Sequence, residues 1–189
     1  MNFETFAFLA VMFGVILSLG IASLLSAMGS MLRSWSQARP YWVYAAWLLL
    51  QLMLYLHIWW NFWSLQQAVA EWNFFLFLVL LVGPAALFMA TQVLLFEPSA
   101  DVDSEKHYFD VHRVFFTLLA LVVIWEMATA PLFFGETDPV MGLQFVVLVV
   151  LATLATSKRR ALHGGLTLVS GALFFAGVVG YGLRLMSST

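Results

Sequence analysis

The chain has 189 residues, of which 63% are hydrophobic and 10% are charged, whereas a soluble domain carries about 25% charged residues. This composition predicts an integral membrane protein that forms one compact domain, 1–189, with surplus apolar surface facing lipid. The formal net charge of −2 comes without a basic patch large enough for nucleic acid, and the absence of cysteine excludes disulfides, thiolate metal sites and thiol catalysis.

Six segments are long and apolar enough to cross a membrane: 3–30, 41–65, 72–96, 112–134, 139–157 and 162–186. A helix needs about 20 apolar residues to span a hydrocarbon core of about 30 Å. The segments are too long for barrel strands, and a helix satisfies its own backbone groups within lipid. The sequence therefore predicts an all-α bundle of six transmembrane helices, of which the fifth is the shortest.

Lysine and arginine predict the orientation of this bundle. Seven of the eight lie in the connections between spans 1 and 2, 3 and 4, and 5 and 6: Arg33, Arg39, Lys106, Arg113, Lys158, Arg159 and Arg160. The positive-inside rule places these connections in the cytoplasm and both chain termini outside it. The run 158–160 is also expected to contact anionic lipid.

Span 1 repeats small residues at every fourth position, among them Gly14, Ser18 and Ala22. Span 6 repeats the pattern with Ala172, Ala176 and Gly180. Small side chains let membrane helices approach closely. We expect both stripes to pack tightly inside the bundle, and the alternative is that they bind partner helices of a larger assembly.

Span 2 contains the sequence LHIWWNFW, 56–63, in which two polar residues stand among aromatic ones. At 100° per residue, His57, Asn61 and Ser64 form a narrow polar stripe, and Trp59 and Trp63 lie on the opposite side. One interpretation is a wet helix end whose tryptophans face lipid headgroups. The other is a polar site open to the outside, and a third is ligation of a metal or haem by His57.

Span 3 contains Pro84 directly after Gly83. Proline removes a backbone donor and clashes with the preceding turn, which predicts a kink that is either fixed or a hinge. The longest connection, EPSADVDSEKHYFDVHR at 97–113, follows this span. It is predicted to be a loop with room for an interfacial helix.

Glu126 lies within span 4, in LVVIWEMATAP. A carboxylate at this depth costs a few kcal/mol, so it should be protonated, paired or in contact with water. At 1.5 Å per residue from the cytoplasmic entry, Glu126 lies about 21 Å deep and His57 about 24 Å deep, and Gln144 of span 5 reaches the same layer. The sequence thus predicts an outer-half ligand or proton site if spans 2 and 4 are neighbours; its members are Glu126, His57, Asn61, Gln144 and Ser64.

His112 and His163 begin spans 4 and 6 at the predicted cytoplasmic face. Two histidines on facing helices could ligate a b-type haem, and the alternative is that both are ordinary solvated residues at helix ends. The sequence contains no nucleophile motif, metalloprotease HExxH motif or phosphate-binding loop.

Two motifs carry a resemblance that covers most of the chain: RPYWVYAAWLLLQLMLYLHIWWNFW at 39–63 and DSEKHYFDVHRVFF at 103–116. With them the chain resembles small bacterial six-span membrane proteins without an established activity. The resemblance implies the six-span topology and a location in the bacterial inner membrane. It transfers no catalytic residue to this chain.

Three functions fit these features. The first is binding or translocation of a small solute or proton, with Glu126 as the titrating group and His57 as its partner, because histidine titrates near neutrality, at a pKa of about 6.5. The second is an accessory or structural subunit, in a homo-oligomer or a larger membrane complex. The third is an intramembrane enzyme that uses the same two residues as acid and base on a lipid or isoprenoid.

Overall fold

The computed structural model of the chain describes residues 3–33, 41–68, 73–96, 103–129, 131–132 and 141–187. All regular structure in these ranges is helical, as predicted. The helices are α1 (Phe3–Arg33), α2 (Trp42–Ala68), α3 (Phe74–Leu94), α4 (Ser104–Thr129), α5 (Met141–Thr156) and α6 (Arg160–Ser187). Among the described residues, five helices are long and apolar enough to cross a membrane, and α5 is the shorter one, with 16 residues.

Helix α4 begins at Ser104, about two turns before the predicted start at residue 112. Asp103 caps it, since its Oδ1 accepts hydrogen bonds from the backbone N–H of Glu105 at 2.9 Å and of Lys106 at 3.5 Å. These first turns are polar, so hydropathy alone does not detect them. The expected interfacial helix is therefore not a separate element but the start of α4.

Helices α2, α4 and α6 begin at one end of the bundle. We call it the basic end, because Lys158, Arg159 and Arg160 lie at the start of α6. Glu105 of α4 forms an ion pair of 2.8 Å with Arg160 of α6, and the Ser104 hydroxyl accepts a 2.9 Å hydrogen bond from the backbone N–H of Tyr41. These three helices therefore run in the same direction. Helices α1, α3 and α5 run in the opposite direction. Lys158 and Arg159 join the end of α5 to the start of α6, so they lie at the basic end as well.

The neighbours of α2 differ from those of α4. Helix α4 packs mainly on α3 and α5, and α2 packs mainly on α1 and α6. Contact between α2 and α4 is smaller and is made near the basic end, where the Trp47 ring lies 4.9 Å from the Phe116 ring, centroid to centroid. Spans 2 and 4 are thus neighbours over part of their length.

At two glycines, one helix approaches another closely. A methyl group at Gly20 of α1 would overlap the phenol of Tyr55 of α2, and one at Gly83 of α3 would overlap the indole of Trp125 of α4. Gly83 and Pro84 are both buried within α3, which runs from Phe74 to Leu94. The hinge at these two residues stays a prediction, and the contact with Trp125 supplies a packing reason for the glycine.

The small-residue stripe of α1 does not lie inside the bundle. Gly14 does pack, since a methyl group there would lie 3.3 Å from Trp59, but Ser18 and Ala22 are exposed. The buried face of α1 carries bulky side chains instead: Leu9, Phe13, Leu17 and Leu24. The expected interior packing is therefore wrong for Ser18 and Ala22, because these four side chains occupy the inward face of α1 and the stripe lies on another face.

The same correction applies to α6, where Ala172 and Ala176 are exposed. The inward face of α6 carries His163, which is fully buried, and Thr167. Within the described part of the chain, the backbone of α6 lies against α2 and α5, and its exposed residues include Leu168, Val169 and Phe175. Gly180 lies outside the residues whose side chains are described.

Candidate functional site

His57 and Asn61 form a polar pair on α2. The Asn61 Nδ2 amide donates a hydrogen bond of 2.9 Å to His57 Nε2, as expected for residues four positions apart on a helix. The imidazole also meets the ring of Phe174 of α6, edge to face, with centroids 5.8 Å apart. Trp59 and Trp60 are 50% and 70% exposed, so the aromatic side of this segment faces away from the pair.

Glu126 lies at a depth comparable to that of His57. Trp47 and Phe116 pack against each other, and the two helices that carry them run in the same direction. His57 is ten residues beyond Trp47, and Glu126 is ten residues beyond Phe116. Each therefore lies about 15 Å from that shared layer, toward the end opposite the basic end.

Equal depth alone does not bring His57 and Glu126 into contact, because the described contacts between their helices lie near the basic end. Glu126 is half-buried, and its backbone carbonyl accepts a hydrogen bond of 2.9 Å from the Thr129 hydroxyl. The preceding residue, Trp125, faces α3 and donates to the carbonyl oxygen of Val79 at 2.6 Å. His57 faces α6, so a direct pairing of His57 with Glu126 stays a prediction.

Gln144 of α5 belongs to the same layer. Its neighbour Leu143 lies 3.4 Å from the position of a methyl group on Gly177 of α6, and Gly177 is about one turn beyond Phe174, the residue that touches His57. The Gln144 Oε1 atom is buried and has no hydrogen-bond partner among the described residues. This places an unmatched acceptor close to the level of His57. Ser64, the remaining predicted member, lies outside the residues whose side chains are described.

Gln51 is a further polar residue that sequence reasoning did not include in the site. Its side chain is 1% exposed, and neither its Nε2 nor its Oε1 has a hydrogen-bond partner within the described part of the chain. It lies on α2, one turn after Trp47 and one turn before Tyr55. A signal was present, since a single amide interrupts the apolar run LLLQLML at 48–54.

A polar network joins α4 and α6 near the basic end. The Tyr108 hydroxyl lies 2.8 Å from His163 Nδ1 and donates to it, while His163 Nε2 donates to the Ser157 carbonyl oxygen at 2.8 Å. The His112 ring lies 5.6 Å from that of His163, centroid to centroid, and its Nδ1 donates to the Phe109 carbonyl oxygen at 2.6 Å. This network uses both nitrogens of His163.

The haem alternative at His112 and His163 stays a prediction, and the network defines what it would require. An iron ligated by His163 would have to break the hydrogen bond to Tyr108 or the one to Ser157. It would also have to separate two rings that are in edge contact. In the described arrangement the two histidines hold helices together.

Aromatic and charged contacts also join the helices at the basic end. The Arg160 guanidinium lies 5.5 Å from the centroid of the Tyr41 ring, within the range of a cation–π contact. Burial raises the pKa of Tyr41 and the Glu105 carboxylate raises it further, while Arg160 lowers it. Tyr41 is therefore neutral at physiological pH. Deeper in, Trp47 Nε1 donates to the Thr167 hydroxyl at 2.9 Å.

No protein-family model matches this chain, and comparisons with curated proteins and with solved structures find no match. The chemistry that the described residues offer is hydrogen bonding and proton exchange. His57 can take up a proton, Glu126 can release one, and the amides of Asn61 and Gln144 can each donate and accept hydrogen bonds.

Proposed function

We propose that the protein crosses the bacterial inner membrane six times, with both termini outside the cytoplasm. The ion pair between Glu105 and Arg160 supports this topology, because it holds the starts of α4 and α6 at one end and so makes α5 a full return. Sixteen residues give α5 a length of about 24 Å. The basic residues at the same end fit the cytoplasmic side of a membrane.

We propose that the protein binds or translocates a small solute or proton through a polar site in its outer half. The observation that carries this proposal is the 2.9 Å hydrogen bond between the Asn61 amide and His57, whose ring packs against Phe174 of α6. Polar groups in a membrane interior are expensive and are typical of substrate and ion pathways. Gln144 and Glu126 add an acceptor and a carboxyl group at a similar depth.

Proton exchange at this site would proceed through a change of hydrogen-bond partner. With Nε2 of His57 unprotonated, the Asn61 amide N–H donates to it. Once Nε2 carries a proton, the same amide must rotate so that its oxygen accepts the N–H. Glu126, the carboxyl group of the layer, would supply or receive the proton.

The proposal is tested by flux into liposomes that contain the purified protein. Proton entry driven by a pH gradient is followed with an internal pH-sensitive dye, and solute entry is followed by light scattering with urea and glycerol. We expect flux above that of empty liposomes, and we expect His57→Ala and Glu126→Gln each to reduce it to the empty-liposome rate. The matched control is Asp110→Asn, which also replaces a carboxylate by an amide. Asp110 is exposed near the start of α4, so this variant should retain the flux. Wild-type protein without flux of any of these species would contradict translocation of protons, urea and glycerol through the site.

A second candidate is an accessory or structural subunit, and the exposed small residues favour it. Ser18 and Ala22 of α1, like Ala172 and Ala176 of α6, are available to close-packing helices of another chain or a second copy. Substitution of Ala22 by Leu would then break a complex that co-purifies with the wild type in mild detergent. A wild-type protein that remains monomeric there would contradict this candidate.

We also propose contact between the basic end and anionic lipid, through Lys158 and Arg159, which are exposed. Arg160 is partly engaged by Glu105. The double variant Lys158→Gln, Arg159→Gln should lose the thermal stabilisation that phosphatidylglycerol gives over phosphatidylcholine. Equal stabilisation of variant and wild type would count against the contact.

A further inference from the structure

The side chain of Gln51 is an exception to the packing rules of a membrane interior. It is 1% exposed, and neither polar atom of its amide has a hydrogen-bond partner among the described residues. A buried amide without partners costs free energy that a leucine at the same position would not. Such a group is explained either by strain or by a bound molecule that supplies the missing hydrogen bonds.

A second polar group without a partner among the described residues lies at the same level on α6. The Ser170 hydroxyl is buried and has no hydrogen-bond partner in the described part of the chain. Leu50 of α2 lies 3.9 Å from the position of a methyl group on Gly171 of α6. Gln51 and Ser170 are the immediate chain neighbours of these two residues. One turn nearer the basic end, the bond between Trp47 and Thr167 joins the same two helices.

The chemistry at this level favours a neutral ligand. The amide offers one acceptor and a donor group, and the serine hydroxyl offers both. The Trp47 indole and Tyr55 phenol flank Gln51 on α2, and their polar atoms are already used, by Thr167 and by Thr91. None of these groups is charged, so none offsets the cost of bringing an ion out of water. A water molecule needs two to four polar partners and fits this donor and acceptor set.

We propose that the Gln51 amide and the Ser170 hydroxyl bind water in the middle of the bundle, between α2 and α6. This site is distinct from the outer-half layer, since Gln51 lies six residues, or about 9 Å, from His57 along α2. It does not depend on the proposed function, because a buried water is needed whether or not anything crosses the bundle.

The test is X-ray radiolytic labelling of the protein in nanodiscs, read by mass spectrometry. Hydroxyl radicals formed from a bound water modify the side chains beside it, even where bulk solvent does not reach. The reporters are Trp47 and Tyr55, which are 4% and 0% exposed. Phe13, at 1% exposure on α1, serves as the dry reference after correction for intrinsic reactivity.

We expect Trp47 and Tyr55 to be labelled several times faster than Phe13 in the wild type. Gln51→Leu should reduce their labelling to the level of Phe13, while Gln92→Leu, a change of an exposed glutamine on α3, should leave it unchanged. Wild-type labelling of both reporters no faster than that of Phe13 would overturn the proposal, and this comparison needs no variant to fold. Labelling that persists in a folded Gln51→Leu variant would overturn it as well.

Discussion

Gly20 controls how closely α1 approaches α2. A Cβ atom there would overlap the hydroxyl and ring of Tyr55, and Tyr55 cannot easily move because its hydroxyl is hydrogen-bonded to Thr91 of α3 at 2.9 Å. One glycine thus permits a contact in which three helices meet. The sequence pattern singles out Gly14, Ser18 and Ala22 on the same helix, but Gly20 does not belong to that stripe.

We therefore predict that Gly20→Ala lowers stability by about 1–3 kcal/mol, the usual cost of an added methyl group in a packed core. The measurement is the thermal unfolding midpoint in detergent. Gly165→Ala is the matched control, because Gly165 is exposed on α6 and a methyl group there would meet nothing within 4 Å. A midpoint for Gly20→Ala equal to that of Gly165→Ala would show that the helices do not meet at this point.

Polar residues within apolar runs could be recognised from the sequence, but their partners could not. The helical angle alone puts His57 and Asn61 on one face, because that inference needs only the geometry of one helix. The contact of His57 with Phe174 of α6 depends on how helices are arranged laterally. Periodicity contains no information on that arrangement. The burial of Gln51 could not be predicted for the same reason.

Helices α2, α4 and α6 are tied together at the basic end by side chains of their first turns. His163 is the centre of this tie, fully buried and bonded through one nitrogen to Tyr108 and through the other to the carbonyl oxygen of Ser157. The sequence indicates histidines at helix starts but not this network, since Tyr108 lies in a stretch that hydropathy assigns to a loop. The capping role of Asp103 could have been read from the sequence DSE.

Loss of the Tyr108 hydroxyl should weaken this tie. Tyr108→Phe leaves the Nδ1 acceptor of His163 buried without its donor, which costs about 1–3 kcal/mol. Thermal unfolding in detergent measures the loss. Tyr44→Phe is the control, because the Tyr44 ring is also buried but its hydroxyl forms no hydrogen bond to a described residue. Equal midpoints for the two variants would contradict the structural role of the Tyr108 bond.

Among the described residues, large apolar side chains form most of the core, while Ser18 and Ala22 of α1 and Ala172 and Ala176 of α6 lie outside it. Composition and hydropathy predict the helices well, since length and apolar content are properties of each segment alone. The inward face of α1 is harder to predict, because both faces of a membrane helix are apolar and lipid competes with the core for the same side chains.

The proposed orientation predicts which connections face the outside. The chain has no cysteine, so single cysteines can be introduced without background. Asn73→Cys, at the exposed start of α3, should react in intact cells with a maleimide that does not cross membranes. Ser157→Cys, at the basic end, should react only after the cells are opened. The reverse pattern would contradict the orientation.

A double-variant cycle of liposome flux tests the proposal that His57 and Glu126 act in one outer-half site. If the two residues serve one pathway, removal of either already abolishes the step that both support. We expect His57→Ala, Glu126→Gln and the double variant all to show the same residual flux. Independent losses that multiply in the double variant, or undiminished flux in either single variant, would contradict it.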